Sequence, residues 1–287
     1  MASPQTSRSL DHGLDSGSVT DPRNVPSPRP VDGEPGKYVY CIIQSDQPKS
    51  FGHSGIGGRG DDVRTIVHGN LAAVASNTPV VVYDPTRENV MTHERINEAV
   101  MKEFTVIPMS FGTVFRTEDD VVEFLRHTKD ALVDVLSKMK DKIEFGLKLS
   151  WEPDLVMKSI EEEREDIRLL KERIVADRHS STYFARMQIG RMVAQALEER
   201  ADAHVREVYE TLRDSAVASR HNKPIGEKMI MNAAFLVDRA NATQFEGQVL
   251  ALADKHAGQL RVTFTGPWPP YNFVNIRLKL EHARATS

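Results

Sequence analysis

TGPWPPYNFV, Thr265 to Val274, sets three prolines around a Trp, a Tyr and a Phe within ten residues. The chain as a whole is only 7% aromatic, so this concentration needs a reason. Three readings compete: a proline-rich ligand, a stacking platform for bases, or a rigid corner. The stretch follows directly on the apolar run Leu260–Phe264, whereas proline ligands lie in accessible extended segments. Arg261 is the single cation of the preceding strand and Arg277 lies beyond, so the basic surroundings of a nucleic-acid platform are missing. A strand-ending corner remains. Proline fixes φ and removes N–H donors, so ladder pairing must stop here or move to a sheet edge. The rings are then held at set angles, inward or toward a partner.

Working outward, the corner closes a β-α-β segment. Met229–Val237 reads as a strand and Thr243–His256 as an amphipathic helix with Gly258 as its C-cap. Leu260–Phe264 is the second strand, and Asn275–Leu280 alternates as a short final one. Upstream, residues 154–176 and about Tyr183–Ala218 read as two long helices separated by a polar break at Asp177–Ser181. Ile160, Ile167, Leu170 and Ile174 form a coiled-coil-like seam on the first. Met187, Gly190, Ala194, Leu197, Ala201, Val208 and Leu212 form that of the second, its small residues allowing close backbone approach. An antiparallel pair is expected. The run EEEREDIR reads as a solvated helix face.

Pro153 marks the border with an earlier region. KYVYCIIQ (Lys37–Gln44) is a buried strand, and two strands flank the turn His68-Gly69-Asn70. Val80–Tyr83 extends the sheet. Arg87–Phe104 is helical, Thr105–Pro108 strand-like, and Thr117 caps a helix with Val121, Phe124, Leu125, Leu132, Val135, Leu136 and Met139 on one face. Lys142–Trp151 alternates into another strand. The order β-ββ-α-β-α-β predicts a modified ferredoxin-like unit. The expected class is thus α+β in two domains: a disordered Ser/Pro/Gly-rich tail over 1–36, a ferredoxin-like domain over 37–151, and a helical hairpin with a β-α-β unit over 152–287.

The composition, 40% hydrophobic and 27% charged with a net charge of −4, suits a globular protein and gives no global pull toward nucleic acid or membrane. No apolar run is long enough to span a bilayer, and no signal pattern opens the chain. One cysteine, Cys41, leaves no disulfide framework, and mid-strand among apolar residues it suits an inert thiol. The expected location is cytoplasmic.

Reactive constellations do not emerge. Thr92-His93-Glu94 begins like a zinc motif, but Asn97 stands where a second His is needed, so His93 is expected to be a surface or capping residue. Gly55-Ile56-Gly57-Gly58-Arg59-Gly60 matches a dinucleotide-loop pattern, the basis of an alternative reading as a nucleotide-binding or enzymatic module. Asp61-Asp62 and a β-branched strand follow where a helix N-terminus should receive phosphate, so a connecting loop is expected. No catalytic, cofactor or metal site is assigned. Two proline- or glycine-bearing corners stand out instead, VIPMSFGTVF (Val106–Phe115) and TGPWPPYNFV, and Phe111, Trp268, Pro269, Pro270, Tyr271 and Phe273 are the partner-binding candidates.

Those blocks, with GHSGIGG…VRTIVHGNLAAVAS, HERINEAVMKEF and EFGLKLSW, resemble the GvpL/GvpF family of gas vesicle accessory proteins, over Lys37 to about Val274. The resemblance implies the two-domain fold described above and a non-enzymatic role. It implies that the chain assists vesicle assembly, or forms a minor vesicle component, by binding the main shell protein and other accessory proteins. A mean hydropathy of −0.41 and highly charged long helices argue against its being the main wall component.

Overall fold

The computed structural model describes residues 35–176 and 183–274. The expected tail up to Glu34, the break at Asp177–Ser181 and the strand at Asn275–Leu280 lie outside these residues.

The first sheet is built on β1 (Gly36–Gln44). It pairs antiparallel with β3 (Leu71–Thr78), which pairs with β2 (Val63–His68) across the Gly69 turn. On the other edge of β1 run β4 (Val106–Pro108) and the two-residue β5 (Val114–Phe115), giving the order β2-β3-β1-β4 with β5 also on β1. β1 is covered on both faces, which explains its unbroken apolar run. A bulge between Val39 and Cys41 shifts the register, so Tyr38, Tyr40, Cys41 and Ile43 share one face while Val39 and Ile42 share the other. Helix α1 (Arg87–Met101) packs Ile96 and Val100 onto the first of these faces. Helix α2 (Glu118–Met139) packs Val121, Phe124, Leu125, Leu132 and Leu136 onto the second. As expected, Thr117 caps α2, in a capping box with Asp120. Val80–Tyr83 is not a strand: Val80 and Val82 are exposed, and only Tyr83 packs back, its hydroxyl 2.5 Å from Thr78 Oγ1.

The second sheet has the order β7-β8-β6-β9, formed by β6 (Lys142–Ser150), β7 (Ala218–Asn222), β8 (Met229–Asp238) and β9 (Arg261–Trp268). Counted from its own first strand, its order repeats that of the first sheet. β6, expected with the first domain, is hydrogen-bonded between β8 and β9 instead. Its alternating Ile143, Phe145, Leu147 and Leu149 join the core under the later helices. Phe145 stacks on Phe264 and on Phe245 of α6 (Ala242–Lys255), with centroids 4.9 and 5.5 Å apart.

The first long helix is broken at Arg164 into α3 (Pro153–Glu163) and α4 (Glu165–Ala176), both packed along α5 (Tyr183–Arg213). The α5 seam departs from expectation only in its first half. Leu197, Ala201, Val208 and Leu212 face the core as expected. Met187, Gly190 and Ala194 are exposed instead, Ile189, Met192, Val193 and Ala196 pack inward in their place, and a Cβ on Gly190 would meet nothing. α5 also stops five residues short of Ala218. The polar ASRHN forms edge strand β7 instead, with His221 against Tyr209 at a centroid distance of 3.8 Å.

Candidate functional site

Both unusual corners converge on one face of α1. His93, expected at the surface, is 3% exposed. Its Nε2 lies 3.2 Å from the Met109 carbonyl, which can only accept, so Nε2 carries the proton. Nδ1 therefore accepts from the Tyr38 hydroxyl at 3.0 Å, and that hydroxyl in turn accepts from the Gly112 amide at 3.0 Å. Gly112 has φ 84, a conformation glycine adopts without strain, and it turns the chain between β4 and β5. Phe111 in this turn is half-buried, its ring at 5.9 Å from His93 and 6.4 Å from Tyr38. Burial holds the His93 imidazole down at about 4 and pushes the Tyr38 hydroxyl well up, so both are neutral.

One turn along α1, Asn97 is fully buried. Its Nδ2 donates to the His93 carbonyl at 3.1 Å and to the Tyr271 hydroxyl at 3.0 Å. Tyr271 also sets its ring 6.5 Å from His93. Phe111 and Tyr271, 160 residues apart, thus both pack on one imidazole.

The next residue fixes the corner to the second sheet. Glu144 of β6 is 4% exposed. It accepts from the Asn272 backbone N–H at 2.8 Å and from Asn272 Nδ2 at 2.5 Å. Arg220 and Asn222 of β7 donate to the Asn272 carbonyl and side-chain oxygens at 3.0 and 3.1 Å. Burial raises the Glu144 pKa, and the two bonds from Asn272 offset part of that rise. Glu144 stands on the sheet face opposite to that of Phe145, which packs under α6, so the corner lies across that other face. Pro269 and Pro270 are buried and shape the bend. Trp268, at the end of β9 opposite Glu144, and Phe273 are half-buried, and Tyr271 is 36% exposed although its hydroxyl points inward.

The Gly-rich loop is a connection. Gly55 donates to the Asp61 carbonyl, Ile56 is fully buried with its amide on the Tyr40 hydroxyl, and β2 follows without a helix. Cys41 is buried and its thiol pKa strongly raised, as expected of an inert thiol. Among the described residues no group of His, Cys, Asp or Glu could hold a metal ion, and no helix is long and apolar enough to cross a membrane. The sequence alone presents His93 and Asn97 only as an incomplete zinc motif, with His93 as a surface or capping residue, and does not single out Glu144; all three are buried. The available signal was Asn97 four residues after His93, on the helix face that carries Ile96 and Val100.

Comparison with known proteins gives the family and the fold. Gas vesicle protein F of Streptomyces sp. (strain CB03234) is 30% identical over 244 residues, 83% of this chain and 98% of the relative. Gas vesicle protein L of the same strain is 28% identical over 260 residues, 84% and 93% of the two chains. The crystal structure of GvpF from Anabaena sp. PCC7120 has the same mixed helix-and-sheet fold, with a TM-score of 0.73 at 23% identity, covering 84% of this chain and 99% of that one. GvpF from Microcystis aeruginosa gives 0.70 at 21% identity. The family model for the gas vesicle synthesis protein GvpL/GvpF matches residues 36–275, through both sheets and the corner, and the chain belongs to that family.

Proposed function

We propose that the protein acts without catalysis in the cytoplasm, assisting gas vesicle assembly or forming a minor vesicle component. It does so by binding the main shell protein and other accessory proteins. The observation that carries this reading is the convergence of the two corners on His93 and Asn97. Buried hydrogen bonds hold the corner backbones, while Phe111, Trp268, Tyr271 and Phe273 keep part of their rings at the surface. Rigid aromatics lose little entropy on contact, which suits capture of an apolar, aggregation-prone subunit. The repeated strand order favours two ferredoxin-like units with their boundary between α2 and β6.

Immobilised protein should capture purified shell subunit, and Trp268→Ala should reduce capture while leaving the circular dichroism spectrum unchanged. Deleting the gene should abolish or distort vesicles. Normal vesicles in a clean deletion, together with no capture, would overturn the reading.

A further inference from the structure

Where β6 ends and β9 begins, at the opposite end of β9 from the corner, the sheet and helices α3 and α5 bound a cleft of about 1040 Å³. Its floor is apolar, with buried Trp151, Val156, Ile160 and Leu260, and Leu155 at the rim is 65% exposed. The charges that line it do not balance. Arg200 is paired with Glu163, Lys228 with Glu152 and Arg164 with Asp166. Lys148 and Arg261 line the strand side of this same cleft, are exposed and form no ion pair among the described residues. Lys148 pairs with Thr263 and Ser150 with Arg261, so the two cations are diagonal neighbours on one sheet face, and side chains of their length can reach a common carboxylate. On the helix side, Glu199 of α5 accepts from the Gln195 amide and forms no ion pair among the described residues.

The cleft thus offers positive charge on its strand side, a free carboxylate on its helix side and apolar surface beneath both. An extended segment laid on that floor would leave backbone N–H and C=O groups over apolar side chains, which costs free energy. A helix pairs those groups within itself and needs only side-chain contacts from its surroundings.

We infer that the cleft binds an amphipathic helix of a partner protein, one whose carboxylates run along a single border of its apolar stripe. The stripe covers the floor and Leu155, the carboxylates reach Lys148 and Arg261, and Glu199 disfavours the reversed orientation. Apolar burial supplies most of the affinity, and the charges set orientation and sign. The site is separate from the corner and does not depend on the role proposed for it.

The test is fluorescence anisotropy of the labelled, end-capped peptide ELLAELLAELLAEL with the full chain at low salt. On a helix its Glu residues follow one border of its Leu stripe. Saturable binding is expected, and KLLAKLLAKLLAKL should not saturate. ELLAELLPELLAEL keeps every Glu and Leu but has a broken helix, and should bind at least about tenfold more weakly. The Lys148→Glu, Arg261→Glu double variant and Leu155→Asp should each weaken ELLAELLAELLAEL by at least about tenfold. All three positions are exposed, so the circular dichroism spectrum should be unchanged. Trp268→Ala, at the corner, should leave the affinity as it is. Failure of ELLAELLAELLAEL to saturate the wild type overturns the proposal. Equal binding of the lysine or proline peptide overturns it as well, as does unchanged affinity in either folded cleft variant. Loss of binding in Trp268→Ala would place the peptide on the corner and equally overturn it.

Discussion

Nδ2 of Asn97 donates to the hydroxyl of Tyr271 at 3.0 Å, joining α1 to a corner 174 residues later in the chain. Oδ1 of Asn97 has no hydrogen-bond partner among the described residues, so this amide depends on its donor bonds for compensation. Tyr271→Phe should cost about 1 kcal/mol in urea unfolding. A double-mutant cycle with Asn97→Ala should return a coupling of about 1 kcal/mol. Additive losses would mean that the bond does not couple the two segments.

Glu144 and Asn272 should be a stronger pair, because the acceptor is a buried carboxylate and two donors converge on it. Glu144→Ala leaves both Asn272 donors and the neighbouring Arg220 without their organising charge, and a loss of about 2–3 kcal/mol is expected. Glu144→Gln keeps one acceptor but turns an NH2 toward the other donor, so it should recover only part of that loss. Full recovery would show that shape alone, without the second acceptor, holds the corner.

What could be read from the sequence followed how far each signal is local. KYVYCIIQ announced a strand covered on both faces because burial had already removed its polar alternation. Thr117 announced a helix start because a cap is a three-residue event. β6 shows the limit: alternation in KIEFGLKLS specifies a strand but not its sheet, which the pairing with β8 and β9 decides. β7 was invisible since ASRHN has no buried face of its own and is a strand only by lying on β8. In the site, the aromatics and prolines of both corners stood out by composition. Their supports did not, because His93, Asn97 and Glu144 are polar residues that tertiary packing buries and then satisfies.

Gly266 tests how tightly the corner is seated. It has φ 122, and a Cβ there would stand 2.8 Å from both the Glu144 carbonyl oxygen and a Phe145 ring carbon. One contact is backbone and the other belongs to a fully buried ring, so neither can yield cheaply. Gly266→Ala should destabilise by more than about 2 kcal/mol, measured as a lower urea midpoint at unchanged m. Gly190→Ala, in open space on α5, should instead be neutral or stabilise by up to about 1 kcal/mol. Similar effects of the two would refute the close packing of the corner on β6.

His93 gives the site a pH dependence of defined sign. Its imidazole is held at about 4, against 6.5 for the free side chain, by burial. Between those values the unfolded chain binds a proton that the folded chain refuses, so stability rises with pH across the window. The contribution is complete above about pH 6.5 and is lost as pH falls toward 4, a change of about 3 kcal/mol. Glu144, with its raised pKa, acts in the opposite sense, since acidification relieves the cost of its buried charge. The informative quantity is therefore the difference between wild type and His93→Gln, which removes the titrating ring and leaves Glu144 in place. Urea unfolding at pH 7, 6, 5 and 4 should show the wild type losing about 3 kcal/mol more than the variant over that range. Near pH 4 the protonated Nδ1 can no longer accept from Tyr38, so the turn at Gly112 should loosen, read as faster amide exchange at Phe111 and Gly112. Parallel stability curves for the two proteins would remove His93 as the source.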